Sequence, residues 1–114
     1  MAGSHEGQVV VVTGAGKGIG RAIAERFAGA GAHVAVNDVD RDRVAEVVSG
    51  ITAAGGTAID TPADVSDSSQ VGAMFDAVVE AWGTVDVLVN NAGMVSPMLH
   101  FFEADEAWWR RIID

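Results

Sequence analysis

Residues 13–20, Thr13-Gly14-Ala15-Gly16-Lys17-Gly18-Ile19-Gly20, place four glycines in eight positions. Such a run is either a slack linker or a loop stripped of side chains so that its backbone can approach a charged group. The flanking sequence decides between them. Before the loop, Gln8 to Thr13 contains four consecutive valines, a β-branched run that reads as a strand buried on both faces. After it the period changes. Ile19, Ile23 and Phe27 recur every fourth residue with Ala24 and Ala28 beside them, which marks one face of a helix. Gly31 stands where that helix should stop, and Gly29 weakens its last turn by about 1 kcal/mol relative to Ala. A glycine loop between a buried strand and an amphipathic helix is not a linker.

The alternation continues outward. His33 to Asp38 reads as a second strand, and Val44, Val47, Val48 and Ile51 as the inner face of a helix ended by Gly55 and Gly56. Thr57 to Asp60 is a weaker strand signal. Asp67, with Gln70 three residues on, caps a helix whose apolar stripe is Val71, Met74, Phe75, Val78, Val79 and Trp82, closed by Gly83. Val85 to Asn90 is a further buried strand. Residues 91–99 read as a loop, and Asp105 caps a last helix to Asp114. Strict alternation of strand and helix with short connections implies parallel strands joined by right-handed crossovers. The fold class is α/β, a Rossmann-type doubly wound parallel sheet that stops after the fourth strand and its following helix, in one partial domain over residues 1–114.

In such a sheet the first strand-to-helix turn holds a dinucleotide pyrophosphate on the N–H groups of the helix terminus. The G-x-G-x-x-G spacing fails here, because position 19 is Ile19. G-x-x-x-G-x-G fits through Gly14, Gly18 and Gly20. Gly14 allows the turn, Gly18 lets backbone reach the phosphates, Gly20 lets the helix pack closely, and Gly16 is incidental on this reading. An ordinary tight turn is the competing account of a glycine triplet alone; the strand before it and the helix after it favour the dinucleotide. Asp38 ends the second strand, where a carboxylate accepts the adenosine ribose hydroxyls and repels a 2′-phosphate. It favours NAD over NADP, although a solvated turn acid is the plain alternative. Lys17, with Arg41 and Arg43 further on, pulls toward NADP.

The formal charge of −9, from seven basic and sixteen acidic residues, argues against nucleic acid and anionic membranes, which need clustered Lys and Arg. It leaves room for one phosphate-bearing ligand held by backbone. No apolar run is long enough to span a membrane, and no signal peptide opens the chain. The absence of cysteine fits a reducing cytoplasm. His5 and His33 have no metal-ligand spacing. Ser96 and His100 are close in sequence but have no third partner, so solvated loop residues is the simpler account. Trp108 and Trp109 read as core and interface. Glu103, Asp105 and Glu106 suit the first turn of a helix.

With TGAGKGIG, Asp64-Val65 and Asn90-Asn91-Ala92-Gly93 in order, the chain resembles the short-chain dehydrogenase/reductase family from about Gln8 to Asp114. The resemblance implies an NAD(P)-dependent oxidoreductase moving hydride between a secondary alcohol or ketone and nicotinamide. It implies that Gly14, Lys17, Gly18, Ile19 and Gly20 hold the pyrophosphate side and Asp38 the adenosine ribose. Asp64 and Val65 would contact adenine, Asn90 would help hold the central sheet, and Asn91, Ala92 and Gly93 would line the groove near the nicotinamide ribose. Complete relatives are usually dimers or tetramers. Their catalytic groups are an Asn just beyond the point where this chain ends, a Ser on a later strand and a Tyr-x-x-x-Lys pair. This chain has no tyrosine and its one lysine is Lys17, so none of its residues is assigned as catalytic. It is expected to be the cofactor-binding half of a longer enzyme, inactive alone. A non-catalytic nucleotide-binding module acting through a partner is the alternative, and a carrier of another phosphorylated ligand a third. Ending at residue 114 is further expected to leave the fourth strand with an unpaired edge and the sheet with bare apolar surface, favouring self-association.

Overall fold

The computed structural model describes residues 5–92 and, by backbone, 100–103. The order is β1 (Val9–Val12), α1 (Gly18–Gly29), β2 (His33–Val36), α2 (Arg41–Ala53), β3 (Thr57–Asp60), α3 (Ser68–Trp82), β4 (Val87–Asn90) and β5 (His100–Glu103). The sheet runs β3-β2-β1-β4-β5. The first four strands are parallel, with Val10 opposite Val34 on one side and Val87 on the other. The helix expected from Asp105 onward lies outside the described residues.

Every valine of β1 is buried because both sheet faces are covered. Val10 and Val12 join Val34, Val36, Val87 and Val89 beneath α1 and α2. Val9 and Val11 join Ala35 and Leu88 beneath α3, through Val71, Met74 and Val78. Burying one such side chain contributes about 1.5–3 kcal/mol, so a strand serving two cores has no outward-facing position to spare.

Two expectations are corrected. α1 does not turn Ile19 inward. Its buried residues are Gly20, Ala24 and Ala28, with Ile23 and Phe27 on the flank and Ile19 52% exposed. Small side chains at every fourth position let the helix approach the sheet more closely than an isoleucine stripe would. Nor is the β4 edge bare. β5 pairs with it antiparallel, Val87 opposite Glu103 and Asn90 opposite His100. The backbone groups of β4 that face β5 are therefore engaged, and β5 becomes the outermost described strand on this side of the sheet.

Candidate dinucleotide site

The three described helices each follow a parallel strand and so begin at the end of the sheet where the strands finish, with their first N–H groups there. α2 and α3 satisfy theirs with aspartates. Asp40 accepts from Asp42 and Arg43 at 3.0 and 3.1 Å, and Asp67 from Ser69 and Gln70 at 3.0 and 3.3 Å. α1 is preceded by Lys17, extended and exposed, with no side-chain cap and no acid in the first turn. Among the described helices, the terminus that follows the glycine loop is the one without a side-chain cap, and so the one open to an anion.

The glycines of the triplet are required for three separate reasons. Gly14 has φ +62°, and a Cβ there would lie 3.1 Å from Ala92 Cα and 3.2 Å from Asn91 Nδ2. Gly18 has φ +60° with nothing within 4 Å of an added Cβ, so its backbone is open to a ligand while its conformation disfavours other residues by about 1–2 kcal/mol. At Gly20 a Cβ would collide with the Gly14 carbonyl oxygen and lie 2.7 Å from Asn91 Nδ2. Gly16 is not incidental, which corrects the sequence reading. It is buried, and its N–H donates to Asp38 Oδ2 at 3.0 Å.

Asp38 thus lies against the glycine loop at the end of β2, with its second oxygen accepting from Asp40 N–H at 3.3 Å. Asn37 beside it is buried, and its Nδ2 donates to the carbonyls of Thr61 and Ala63 at 2.9 and 3.2 Å. This amide ties β2 to the turn that leads into Asp64 and Val65. Asp64 is exposed. The Ser66 hydroxyl at 2.6 Å, and then the Ser66 N–H, hold its carboxyl below the usual carboxylate range. Val65 packs on the α3 side of the core and borders a cavity of about 400 Å³ together with Thr13, Asn90 and Ala92.

The far wall hangs on one hydroxyl. Thr13 Oγ1 accepts from Asn91 and Ala92 N–H at 2.9 and 3.0 Å and lies 3.3 Å from Asn90 Oδ1, to which it donates. Asn91 Nδ2 also donates to the Gly14 carbonyl at 3.3 Å. Sequence reasoning passed over Thr13, and its only signal was a hydroxyl residue directly before the first glycine. Gly93 and Ser96 lie outside the described residues. Among those described, no group of acids and histidines could hold a metal ion, and no helix is long and apolar enough to cross a membrane.

The chain matches the short chain dehydrogenase family over residues 8–114 and belongs to it. An uncharacterized oxidoreductase of Methylorubrum extorquens is 49% identical over 110 residues, covering 96% of this chain and 44% of that one. Among solved structures, a short chain dehydrogenase/reductase from Burkholderia phymatum in complex with NAD superposes with TM-score 0.71 and 44% identity, over 73% of this chain and 30% of that one. A metagenomic short-chain oxidoreductase in complex with NADP superposes with TM-score 0.74 and 45% identity, over 78% and 40%. The chain therefore spans less than half the length of these relatives.

Proposed function

We propose that this chain forms the adenosine and pyrophosphate side of a nicotinamide dinucleotide site in an oxidoreductase acting on a secondary alcohol or ketone. One observation carries the reading: the Gly16 N–H holds Asp38 beside the uncapped start of α1, so a ribose-binding acid and a phosphate-binding terminus adjoin. The residues present fit the group. Gly18 leaves open backbone where an anion would sit, and no carboxylate in the first turn of α1 opposes it.

Backbone N–H groups of Gly18, Ile19 and Gly20 would take the pyrophosphate, with Gly14 shaping the turn and Lys17 adding positive charge. Asp38 would accept the adenosine ribose hydroxyls and oppose a 2′-phosphate, so NAD is the preferred cofactor. Asp64 and Val65 would border adenine, and Asn91, Ala92 and Gly93 the nicotinamide ribose. When bound, the cofactor supplies hydride chemistry; these residues supply binding and orientation. The solved neighbours support a nicotinamide dinucleotide, one being in complex with NAD and another with NADP, and the preference for NAD rests on Asp38. A reducing cytoplasm suits a chain with no cysteine, and assembly as a homodimer or homotetramer follows the family pattern.

Titration of the full-length protein with NAD and NADP tests the assignment. Asp38→Ala is expected to weaken NAD about tenfold or more, the scale of a hydrogen bond to a charged group, and to narrow its preference over NADP. Unchanged affinity for both would remove Asp38 from the site.

A further inference from the structure

We propose that Gly16, which the G-x-x-x-G-x-G spacing leaves free, is a positioning residue that sets cofactor choice by holding the Asp38 carboxylate in place. This rests on the reading of Asp38 as the ribose acid. Each carboxylate oxygen carries one backbone donor, Gly16 N–H at 3.0 Å on Oδ2 and Asp40 N–H at 3.3 Å on Oδ1. A carboxylate offers about four lone-pair sites, so two such bonds fix its orientation and leave capacity for two ribose hydroxyls.

Space, and not backbone conformation, makes glycine necessary at this position. Gly16 lies outside the left-handed region that marks Gly14 and Gly18, so its φ suits any residue. A Cβ there would stand 2.8 Å from Asp38 Oδ2, 3.0 Å from Asp38 Cγ and 3.0 Å from Arg43 Cβ. Arg43 is anchored in the first turn of α2, where its N–H bonds Asp40 at 3.1 Å and its Nε pairs with the same carboxylate at 3.4 Å. The Asp38 carboxylate is the mobile party and would give way. An added methyl thus displaces the acid with little disturbance of the fold. Discrimination against a 2′-phosphate depends on a negative charge held where that phosphate would sit, so displacement should relax it.

The test is a double-mutant cycle in the full-length protein, with NAD and NADP affinity and melting temperature read for wild type, Gly16→Ala, Asp38→Ala and the double variant. Gly16→Ala is expected to narrow the NAD-over-NADP ratio about tenfold with little change in melting temperature, and to add less than about twofold in the Asp38→Ala background. If Asp38→Ala narrows the ratio and Gly16→Ala leaves it intact, the ribose reading stands and the positioning role is overturned. If Asp38→Ala itself leaves the ratio unchanged, the ribose reading falls and takes this one with it. Should Gly16→Ala not fold, amide exchange decides. The Gly16 N–H must lose protection in Asp38→Ala, and equal protection overturns the proposal.

Discussion

α1 and α3 start at the same end of the sheet and are built to opposite ends. α3 enters behind Asp67, which takes two backbone N–H groups and is helped by the Gln70 side chain at 3.2 Å. α1 enters behind Lys17 with no cap. The first turn of α3 is closed by its own side chains, whereas the first N–H groups of α1 are left to water or a ligand, which is why the proposed site is placed there. The edge of the sheet alone therefore does not define the site. In the proposed reading the missing cap does, together with Asp38, which the turn after β2 lays against the loop.

The glycines near each helix start break this comparison most forcefully. Gly20→Ala should cost about 1–3 kcal/mol or more, since the methyl has no room beside the Gly14 carbonyl, and should abolish dinucleotide binding. In α3, Gly72 has nothing within 4 Å of an added Cβ, so Gly72→Ala should gain about 0.5–1 kcal/mol. Denaturant titration of the pair reads the opposite signs directly.

Thr13→Val should come next. It removes the hydroxyl of a residue that is only 4% exposed and leaves the half-buried N–H groups of Asn91 and Ala92 without this acceptor, costing about 1–3 kcal/mol. Faster exchange of those two amides, with α3 amides unaffected, is the expected signature.

Lys17→Asp would make α1 resemble α3. An aspartate cap typically contributes about 0.5–2 kcal/mol, so the fold should hold or gain stability while dinucleotide affinity falls. A variant that binds NAD as well as wild type would show that the open terminus is not where phosphate rests.

The smallest effect separates charge from capping at Asp67. The Ser69 hydroxyl, and then the Gln70 N–H, hold this carboxyl below its ordinary value. A lowered folded pKa means stability that is present above the ordinary value of about 3.9 and lost as pH falls through the folded one. Asn caps nearly as well, so Asp67→Asn should melt slightly below wild type at pH 7 and level with it at about pH 2. Because Asp67 is solvent-exposed, salt should shrink the difference.

Much of the site could be read from the sequence because its parts are local. The glycine triplet, Asp38 and Asp64-Val65 each follow a strand within a few residues, and alternation with short turns locates those strands. What escaped needed the third dimension. Ile19 matched the helical period yet faces solvent, since periodicity does not reveal that close packing on the sheet selects Gly20, Ala24 and Ala28. Gly16 matters through a residue just after the next strand, and Thr13 through residues on β4 and just after it. β5 follows β4 in the order of described elements with no helix between them, outside the strict alternation that located the other strands. In the sequence Asn37 is one residue of the second strand, and only its bonds to Thr61 and Ala63 show it as a strap.

The bond between Thr13 and Asn91 joins residues 78 apart in the chain. In kinetic terms, the site cannot be completed by neighbours alone. β1, β2 and β3 pair across single crossovers, which are short closures, whereas β4 reaches β1 only after β3 and α3 have been passed. Closing a longer loop costs more entropy and slows folding. A chain that has assembled only its first three strands already holds the glycine turn and Asp38, but it has no wall at Asn91 and Ala92. On this argument half of the proposed site is expected to form before the strand that supports the other half arrives.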